Sequence, residues 1–333
     1  MLRISSFGFR ILPPMFLPLV MLAVLLVLVA GTLTLLAHAI LHPPRMTDGK
    51  AAYVLKRLSP GDLGMRFEPL RFEVRDEHAG KPLSIAGWWI PHPSGGDRTV
   101  VFVHGYADAK VGSIAWARTW QSLGYHILAV DLRAHGESGG RYTTAGVFER
   151  LDLDQVINEL RATRPQQTGR LVLFGVSMGT AVVLATEHLR NDIDAIVLDC
   201  PFVHFRAGAL RQVQLLGLPL PSLLPAVMWI AKRLSGADFD QIQPLELMAS
   251  AKCPLLVIHS GNDQFVPPED AAEIESVLAK RSADRGPSEY WLVPGIAHLM
   301  ALPADPEEYA RRLGDFLQRA NNGFASSPSH ALS

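Results

Sequence analysis

The sequence predicts an α/β fold in which helices cover both faces of a mostly parallel β-sheet. Three observations predict this fold. Short apolar runs typical of buried strands alternate with helical patterns from residue 99 onward. A Gly-x-Ser-x-Gly pentapeptide at 175–179 lies between one such strand and a helix. Hydrophobic residues make up 48% of the 333 residues, which is enough for one large domain of about 250 residues.

The predicted strands begin as a hairpin and continue as parallel strands. Alternating apolar and polar residues at 70–75, a turn at 76–81 and a return at 83–90 predict two antiparallel strands. The later strands are continuous apolar runs, which are typical of strands buried on both faces. These runs cover residues 99–103, 126–131, 171–174, 195–199, 254–260 and 290–293.

Helical patterns fill the segments between these strands. The segment 148–161 is amphipathic, because its apolar residues recur at helical spacing. Helices are also predicted at 114–123, 180–186, 268–280 and 306–319. The alternation of strands and helices favours a single sheet with a helical layer on each side.

The N-terminal segment has a different composition from the rest of the chain. No Asp, Glu, Lys or Arg occurs between residues 11 and 44, and residues 15–41 are mostly apolar. This length exceeds the roughly 20 residues that span a bilayer. We therefore expect a tail at 1–14 and a transmembrane anchor at 15–41. The alternative is a secretory signal cleaved near Ala39, although its apolar core exceeds the usual length of about 7–15 residues.

Basic residues flank both ends of this apolar segment. Two arginines precede it, and the side that follows carries more basic residues: Arg45, Lys50, Lys56 and Arg57. The positive-inside rule therefore favours a cytoplasmic catalytic domain. A short tail followed by a long folded domain favours the reverse, so both orientations stay open.

The remaining chain divides into a linker, one domain and a tail. Residues 42–65 carry prolines and mixed charge and predict a linker, whereas 66–320 hold the alternating pattern. Within the domain, 202–250 is too long for an ordinary connection between strands. Its apolar, proline-interrupted pattern predicts a helical lid with an acyl pocket; the alternative is an extra helical layer packed on the sheet. Residues 321–333 are small and polar and are expected to be disordered.

Several function classes lack support in the composition and motifs. The net charge of −1 favours neither nucleic acid nor an acidic partner. The chain contains no phosphate-binding glycine motif and no spacing typical of metal ligands, so we expect no cofactor and no metal. No feature indicates an obligate protein partner. Cys200 and Cys253 fall at opposite ends of neighbouring predicted strands, which predicts two free structural thiols.

The pentapeptide Gly175-Val176-Ser177-Met178-Gly179 predicts a nucleophile elbow. This strained turn from strand to helix needs small flanking residues, which Gly175 and Gly179 provide. It lifts the Ser177 hydroxyl above the edge of the sheet. A serine hydroxyl is a poor nucleophile unless a base takes its proton and a carboxylate orients that base.

The partners of Ser177 are expected in the order acid and then histidine, on loops after later strands. Asp263 directly follows the strand at 254–260, and His298 follows the last strand. We predict Asp263 as the acid and His298 as the base. Asp199 is the alternative acid, and a turn-forming role is the alternative for Asp263.

An acyl-transfer site also needs donors for the oxyanion. The backbone N–H groups of Met178 and Tyr106 are predicted to supply them, and Gly105 lets the backbone approach closely. His104 is predicted to brace this loop. The polar segment 131–138, with Asp131, Arg133 and His135, is predicted to stabilise a neighbouring loop.

Together these motifs resemble the α/β-hydrolase superfamily over about residues 70–317. The matching motifs, in family order, are His104-Gly105, Asp131-x-Arg133-x-His135-Gly136-x-Ser138, Gly175-x-Ser177-x-Gly179 and the loops of Asp263 and His298. The set is similar to the branch of serine aminopeptidases, monoglyceride lipases and bacterial esterases. The resemblance implies the α/β-hydrolase fold with an eight-stranded, mostly parallel sheet and a triad of Ser177, Asp263 and His298.

The resemblance also bears on the reaction. Members of this superfamily cleave esters, thioesters and amides. A dehalogenase needs an aspartate at the elbow, so Ser177 argues against that activity. The glycine-rich oxyanion triplet of many lipases is replaced here by His104-Gly105-Tyr106-Ala107.

The leading hypothesis is a membrane-anchored serine hydrolase of the carboxylesterase or lipase type, acting on a small or lipid-like acyl ester. A peptidase that removes N-terminal residues is an alternative, with Asp238, Asp240 or Glu246 binding the substrate amine. An acyl-protein thioesterase is another. The third class is a catalytically silent binding or scaffold protein with the same fold.

Overall fold

The computed structural model describes residues 16–204, 208–211, 221–266 and 268–324. A single eight-stranded sheet occupies the centre of the domain that follows the N-terminal helix, as the sequence predicts. Its strands are β1 (Glu68–Asp76), β2 (Lys81–Ile90), β3 (Arg98–Val103), β4 (His126–Val130), β5 (Arg170–Val176), β6 (Ala195–Asp199), β7 (Leu255–Ser260) and β8 (Ser288–Val293).

The strand order is β1-β2-β4-β3-β5-β6-β7-β8. Strand β2 pairs antiparallel with β1 and β4, and the pairs from β4 to β8 are parallel. Parallel strands end at the same edge of the sheet, so the loops after β3, β5, β6, β7 and β8 gather there. This edge is where an open α/β sheet places its site.

The described helices include one N-terminal helix and several that pack on the sheet. They are α1 (Phe16–Leu41), α2 (Asp48–Val54), α3 (Lys110–Ser113), α4 (Ala117–Ser122), α5 (Glu149–Thr163), α6 (Met178–Glu187), α7 (Leu224–Ser235), α8 (Pro244–Ser250), α9 (Pro268–Ala279), α10 (Ala301–Ala304) and α11 (Pro306–Phe324).

Two helical boundaries differ from the sequence-based expectation. The segment 42–65, expected as a linker, contains α2, which begins where the Thr47 side chain accepts a hydrogen bond from the N–H of Lys50. At the other end, α11 continues to Phe324 beyond the expected end at Arg319. Asn321 holds this extension because its side chain accepts a 2.7 Å hydrogen bond from Arg170 on β5. The rest of the expected tail, 325–333, lies outside the described residues.

Hydrophobic side chains fill both faces of the sheet. Along β3, Val101 and Val103 belong to the cluster on one face, whereas Val100 and Phe102 belong to the cluster on the other. This alternation is the two-residue period of a strand. Helices α5, α6 and α9 cover the first face, and α4 and α11 cover the second. Burial on both faces explains why these strands are continuous apolar runs in the sequence.

Helix α1 is long and apolar enough to cross a membrane, with a mean hydropathy of 2.8 over its most apolar part. Its side chains are largely exposed from Leu17 to Leu35, whereas Ala37 and Leu41 are fully buried. The buried end packs against Met228 on α7. The helix therefore combines a long exposed apolar surface with a short docked end.

The polar segment after β4 is held by buried ion pairs. Both Arg133 nitrogens Nε and Nη2 donate to the Asp152 carboxylate at 2.6 Å, and Lys110 Nζ donates to Asp131 at 2.6 Å. These contacts fit the structural role that the sequence predicts for this segment, and they fix the loops beside the sheet edge.

Candidate active site

Ser177 lies in a strained turn between β5 and α6. Its φ of 50° and ψ of −121° fall in a backbone region that residues other than glycine rarely adopt. A Cβ at Gly175 would lie 2.6 Å from the carbonyl oxygen of Gly179, and a Cβ at Gly179 would overlap the carbonyl oxygen of Val103. Neither position accepts a larger residue, so the sequence folds here as the elbow geometry requires.

The backbone around Ser177 is anchored to the neighbouring strand. Its N–H donates to the carbonyl oxygen of Asp199 at 2.9 Å, and its own carbonyl accepts the N–H of Thr180 at 3.0 Å. Strain of this kind persists only where surrounding contacts hold it. The Ser177 side chain remains partly exposed at the floor of a cavity.

His298 and Asp263 meet in the loops after β8 and β7. His298 Nδ1 lies 2.6 Å from Asp263 Oδ2. The other carboxylate oxygen, Oδ1, accepts the N–H groups of Phe265 at 2.8 Å and Val266 at 3.2 Å. Because all these donors favour a charged acceptor, they orient the carboxylate as well as the imidazole.

The surroundings of Asp263 favour its ionised form. Burial by itself raises the pKa of this carboxyl, but the hydrogen bond and charge of His298 and the two backbone donors outweigh burial. The pKa of Asp263 therefore lies below its ordinary value. Because the Asp263 carboxylate accepts from His298 Nδ1, Nε2 is the ring nitrogen left to take a proton from a nucleophile.

Ser177 and His298 line one cavity of about 370 Å³. Most of its wall is apolar, and it borders the sheet edge, the insertion 202–250 and the end of α1. The lining residues are Ile40, Gly105, Tyr106, Ala107, Asp108, Thr143, Ala145, Ser177, Met178, Cys200, Phe202, Gly208, Ala209, Phe239, Phe265, Val266, His298 and Leu299. The cavity thus brings together the predicted nucleophile and the predicted base.

The predicted oxyanion donors lie on two sides of Ser177. Met178 is the first residue of α6, where backbone N–H groups lack partners within the helix and the helix dipole favours negative charge. Across the cavity, a Cβ at Gly105 would lie 3.1 Å from the Ser177 Cβ, so the loop holding Tyr106 passes directly beside the serine. Both backbone segments therefore lie close to Ser177.

Two side chains brace this loop. Buried His104 accepts the N–H of Leu132 at Nε2 and donates from Nδ1 to the Gly105 carbonyl at 2.7 Å. Burial, with the nearby His135, holds the pKa of His104 well below its ordinary value, so the ring stays neutral. The Tyr106 hydroxyl donates to the carbonyl oxygens of Ala39 at 2.9 Å and Ile40 at 3.2 Å.

The alternative acid, Asp199, lies away from His298 in the hydrogen-bond network. It is fully buried at the end of β6 and accepts from the Tyr309 hydroxyl at 2.9 Å and from the Cys200 thiol at 3.4 Å. Burial raises the pKa of Asp199 to about 6, despite the donors around it. Of the two predicted acids, Asp263 is the one that contacts the imidazole.

Asp108 is a cavity residue that sequence reasoning did not single out. Its Oδ1 is buried without a hydrogen-bond partner in the described part of the chain. Burial, with Asp131 nearby, raises the pKa of Asp108 to about 6. The sequence feature that could have indicated Asp108 is its position three residues after Gly105, in the loop that passes beside Ser177.

The acidic residues proposed from the sequence to bind a substrate amine lie elsewhere. Asp238, Asp240 and Glu246 are absent from the described residues that line the cavity. Asp238 instead forms a 2.6 Å ion pair with Lys232 and caps the turn at Asp240. Among the described lining residues, Asp108 is the acidic one.

The insertion 202–250 contributes Phe202, Gly208, Ala209 and Phe239 to the cavity wall. The apolar run expected at 223–234 forms much of α7, which packs on α1. Most of the other apolar run, 215–221, lies outside the described residues.

Side chains of Cys200, Asp263 and His298 come close enough to suggest a metal site. Their ligand atoms lie within 4.8 Å of one another. However, burial raises the pKa of the Cys200 thiol well above its ordinary value. A thiol ligates a metal as the thiolate, and the Asp263 carboxylate already accepts from His298 and from two backbone N–H groups. The trio therefore fits a hydrogen-bonded site better than a metal centre.

Comparisons with known proteins place this geometry in a family. A family model described as serine aminopeptidase, S33, matches residues 96–243. An uncharacterised protein of Mycobacterium tuberculosis is 30% identical over 218 residues, which are 65% of this chain and 68% of that protein. The chain belongs to the α/β-hydrolase superfamily.

Two further similar proteins are named for an activity. The solved structure of an esterase from Pyrococcus furiosus matches with a TM-score of 0.65 and 28% identity, and the match covers 84% of this chain and 98% of the esterase. Lysophosphatidylserine lipase ABHD12 of Danio rerio is 25% identical over 213 residues, which are 60% of this chain and 52% of the lipase. These similarities support hydrolase activity for this α/β hydrolase, and α1 is its candidate membrane span.

Proposed function

We propose that this chain is a membrane-anchored serine hydrolase that cleaves acyl esters, with Ser177 as nucleophile, His298 as base and Asp263 as the orienting acid. The observation that carries the proposal is that the Ser177 elbow and the His298–Asp263 pair open onto one apolar cavity. The esterase and lipase among the similar proteins support an ester as the scissile bond.

The proposed reaction proceeds through an acyl-enzyme. Ser177 Oγ attacks the ester carbonyl carbon while His298 Nε2 takes the hydroxyl proton. The imidazolium, stabilised by ionised Asp263, then gives that proton to the departing alcohol oxygen as the C–O bond breaks. Water activated by His298 attacks the acyl-enzyme, which releases the carboxylic acid and returns the proton to Ser177.

Negative charge on the carbonyl oxygen develops between two backbone segments. In the proposal, the N–H groups of Met178 and Tyr106 bind this oxyanion. Losing one such donor typically costs about 10²–10³-fold in kcat. The start of α6 adds the positive end of a helix dipole.

The proposal retains α1 as an anchor instead of a cleaved signal. Cleavage near Ala39 would cut a helix whose final turn is docked in the protein, where Ala37 and Leu41 are fully buried. It would also remove the Ala39 carbonyl from the Tyr106 hydroxyl. Peptide mapping of the mature protein from membrane fractions tests this point: peptides that span Ala39–Ile40 are expected, and an N-terminus near Ile40 would contradict it.

Labelling with a fluorophosphonate tests the chemistry directly. The purified full chain is treated with the probe, digested, and the adduct mapped by mass, with Ser177→Ala as the matched control. Modification confined to Ser177 is expected, together with hydrolysis of p-nitrophenyl butyrate. A folded sample without labelling would instead favour the silent binding or scaffold function.

A second candidate function, an aminopeptidase, is favoured by Asp108. Asp108 is the acidic residue among the described residues that line the cavity, and an aminopeptidase needs an acidic group to bind the substrate amine. Turnover of aminoacyl p-nitroanilides distinguishes this function from ester hydrolysis. If the chain is an aminopeptidase, Asp108→Asn abolishes aminoacyl turnover, whereas an esterase keeps its activity on neutral short esters.

A further inference from the structure

We propose that the last turn of α1 forms a wall of the active-site cavity, and that Ile40 selects among acyl chains of single-chain amphiphiles held at the membrane surface. The inference rests on the proposed ester hydrolysis for the nature of its substrate. It assigns a specificity role to a residue of the anchor, a segment whose evident role is to set location.

The end of α1 is fixed to the hydrolase domain by packing and backbone contacts. Ala37 and Leu41 are fully buried in a cluster with Met228 and Ala231 of α7. The N–H of Thr143 donates to the Leu41 carbonyl at 3.0 Å. The docked turn is thus part of the folded domain.

The same turn is joined to the predicted oxyanion loop. The last four carbonyls of a helix have no partner within it. Two of them, at Ala39 and Ile40, accept the Tyr106 hydroxyl at 2.9 and 3.2 Å. The end of α1 is therefore hydrogen-bonded to the residue that supplies a predicted oxyanion donor.

Ile40 is the anchor residue that reaches the cavity. Its half-buried side chain shares the wall with Tyr106, Thr143 and Phe239, and Ser177 lies at the floor of the same space. The cavity of about 370 Å³ is at the small end of the ~300–1,000 Å³ typical of ligand pockets. This volume suits one acyl chain, and a side chain in its wall limits how much of that chain fits.

The length of the exposed part of α1 indicates how deep in a bilayer Ile40 and the cavity wall would lie. From Leu17 to Leu35 the helix surface is mainly apolar and exposed, and Leu35 is 72% exposed. At 1.5 Å per residue this stretch is about 28 Å long, close to the ~30 Å of a hydrocarbon core. Ile40 follows five residues later, about 7 Å beyond that core, which places it among the headgroups.

A second element supports this depth. Helix α7, which packs on α1, leaves Trp229 60% exposed, with Arg233 stacked 5.2 Å from its ring. Tryptophan is enriched at membrane–water interfaces. An amphiphile whose ester lies at headgroup depth would therefore meet the cavity without leaving the bilayer.

The preference of the enzyme for short or long acyl chains tests whether Ile40 limits the length of the chain that fits. The full chain in phosphatidylcholine nanodiscs is assayed with p-nitrophenyl butyrate and p-nitrophenyl laurate. Ile40→Trp is expected to lower the laurate-to-butyrate ratio of kcat/KM about tenfold or more, and Ile40→Ala to raise it, because one methylene in an apolar pocket is worth about 10–200-fold. Leu35→Trp and Leu35→Ala, on the lipid-facing surface, are the matched controls and should keep the wild-type ratio. An unchanged ratio in the Ile40 variants would overturn the inference while leaving ester hydrolysis intact.

A readout that needs no hydrolysis separates this inference from the proposed function. Ile40→Cys and Leu35→Cys are alkylated with a water-soluble maleimide, with and without 1-O-dodecylglycerol, an ether that cannot be cleaved. The ether is expected to slow alkylation of Ile40→Cys several-fold and to leave Leu35→Cys unchanged. Labelling of wild type serves as the blank, since Cys200 and Cys253 are buried.

The same alkylation rates report depth. Without the ether, Ile40→Cys at headgroup depth is expected to react at least about tenfold faster than Leu35→Cys, because a thiol in hydrocarbon rarely ionises. Equal rates, or no protection of Ile40→Cys by the ether, would refute the placement of Ile40 even if wild type hydrolyses no ester.

Discussion

His298 Nδ1 lies 2.6 Å from Asp263 Oδ2, although the two residues are 35 positions apart in the chain. Their loops are also joined by a backbone hydrogen bond of 2.9 Å from the Asn262 N–H to the Ile296 carbonyl. Parallel strands β7 and β8 deliver both loops to one edge of the sheet. The pair is therefore held by the fold itself and not by a single side-chain contact.

Replacing this acid tests its role against that of Asp199. Asp263→Asn is expected to lower kcat for p-nitrophenyl butyrate by about 10⁴-fold, because an amide stabilises the wrong tautomer of the base. Asp199→Asn, the matched control, keeps an acceptor oxygen for the Tyr309 hydroxyl and is expected to stay within about tenfold of wild type. A reversed order of the two losses would assign the acid to Asp199.

The alternation of strands and helices could be predicted from sequence because each buried strand is a local apolar run. The eight strands follow from that alternation and the resemblance. Ser177 and its flanking glycines could also be predicted from a short stretch of sequence, because one tight turn requires all three residues. The predictions of Asp263 and His298 used the order acid and then histidine, on loops after the carboxyl ends of parallel strands. They left Asp199 as an alternative acid, and the contact of Asp263 with the imidazole came from the structure.

What sequence patterns did not reveal depends on contacts between distant segments. Ile40 reads as one more apolar anchor residue until the fold brings α1 onto the cavity. Asp108 reads as a loop residue in the sequence, whereas the fold packs its carboxyl against Gly112 of α3. The helix in the expected linker is short, and short helices are specified mainly by their tertiary contacts.

Asp108 predicts a pH dependence of stability. Its pKa is raised from 3.8 to about 6 in the folded protein, so the folded state retains a proton that the unfolded chain has lost. Stability therefore falls as pH rises from about 3.8 through about 6. Asp108→Asn lacks this loss and is expected to exceed wild type at pH 8 by about 1–3 kcal/mol in free energy of unfolding.

Urea denaturation at several pH values measures this difference. The advantage of Asp108→Asn should shrink towards zero near pH 4, where the wild-type carboxyl is protonated in the folded state. A difference that does not vary with pH would show that the pKa of Asp108 is the same in the folded and unfolded protein, which would contradict the shift caused by burial.

The backbone around Gly179 leaves no space for a side chain at this position of the elbow. A Cβ there would overlap the carbonyl oxygen of Val103 and lie 2.7 Å from that of His104. Both atoms belong to backbone at the end of β3, which has no room to retreat. Gly179→Ala is expected to destabilise the protein by about 3 kcal/mol or more.

Gly49→Ala is the matched control for this substitution. Gly49 lies in α2, and no neighbouring atom comes within 4 Å of the place that an alanine methyl group would take. Alanine there should therefore keep or slightly increase stability. Urea midpoints of the two variants are compared with wild type. Equal stability of Gly179→Ala and wild type would contradict the close packing of the elbow against β3.

Tyr106 links helix α1 to the cavity, and a substitution can remove its hydroxyl while keeping its backbone N–H. Tyr106→Phe keeps the predicted oxyanion donor but leaves the carbonyls of Ala39 and Ile40 without their partner. We expect a loss of about 0.5–1.5 kcal/mol in stability. We also expect kcat on p-nitrophenyl butyrate to fall, by up to about 10²-fold, because small displacements of a catalytic donor are costly.

Tyr53→Phe is the matched control for the loss of this hydroxyl, because it changes a ring that is 79% exposed. Its kcat and its urea midpoint are expected to equal those of wild type. If Tyr106→Phe matches it in both measurements, the hydroxyl contributes nothing to the position of the loop. Helix α1 would then be coupled to the site through the packing of its last turn and the hydrogen bond from Thr143 to the Leu41 carbonyl.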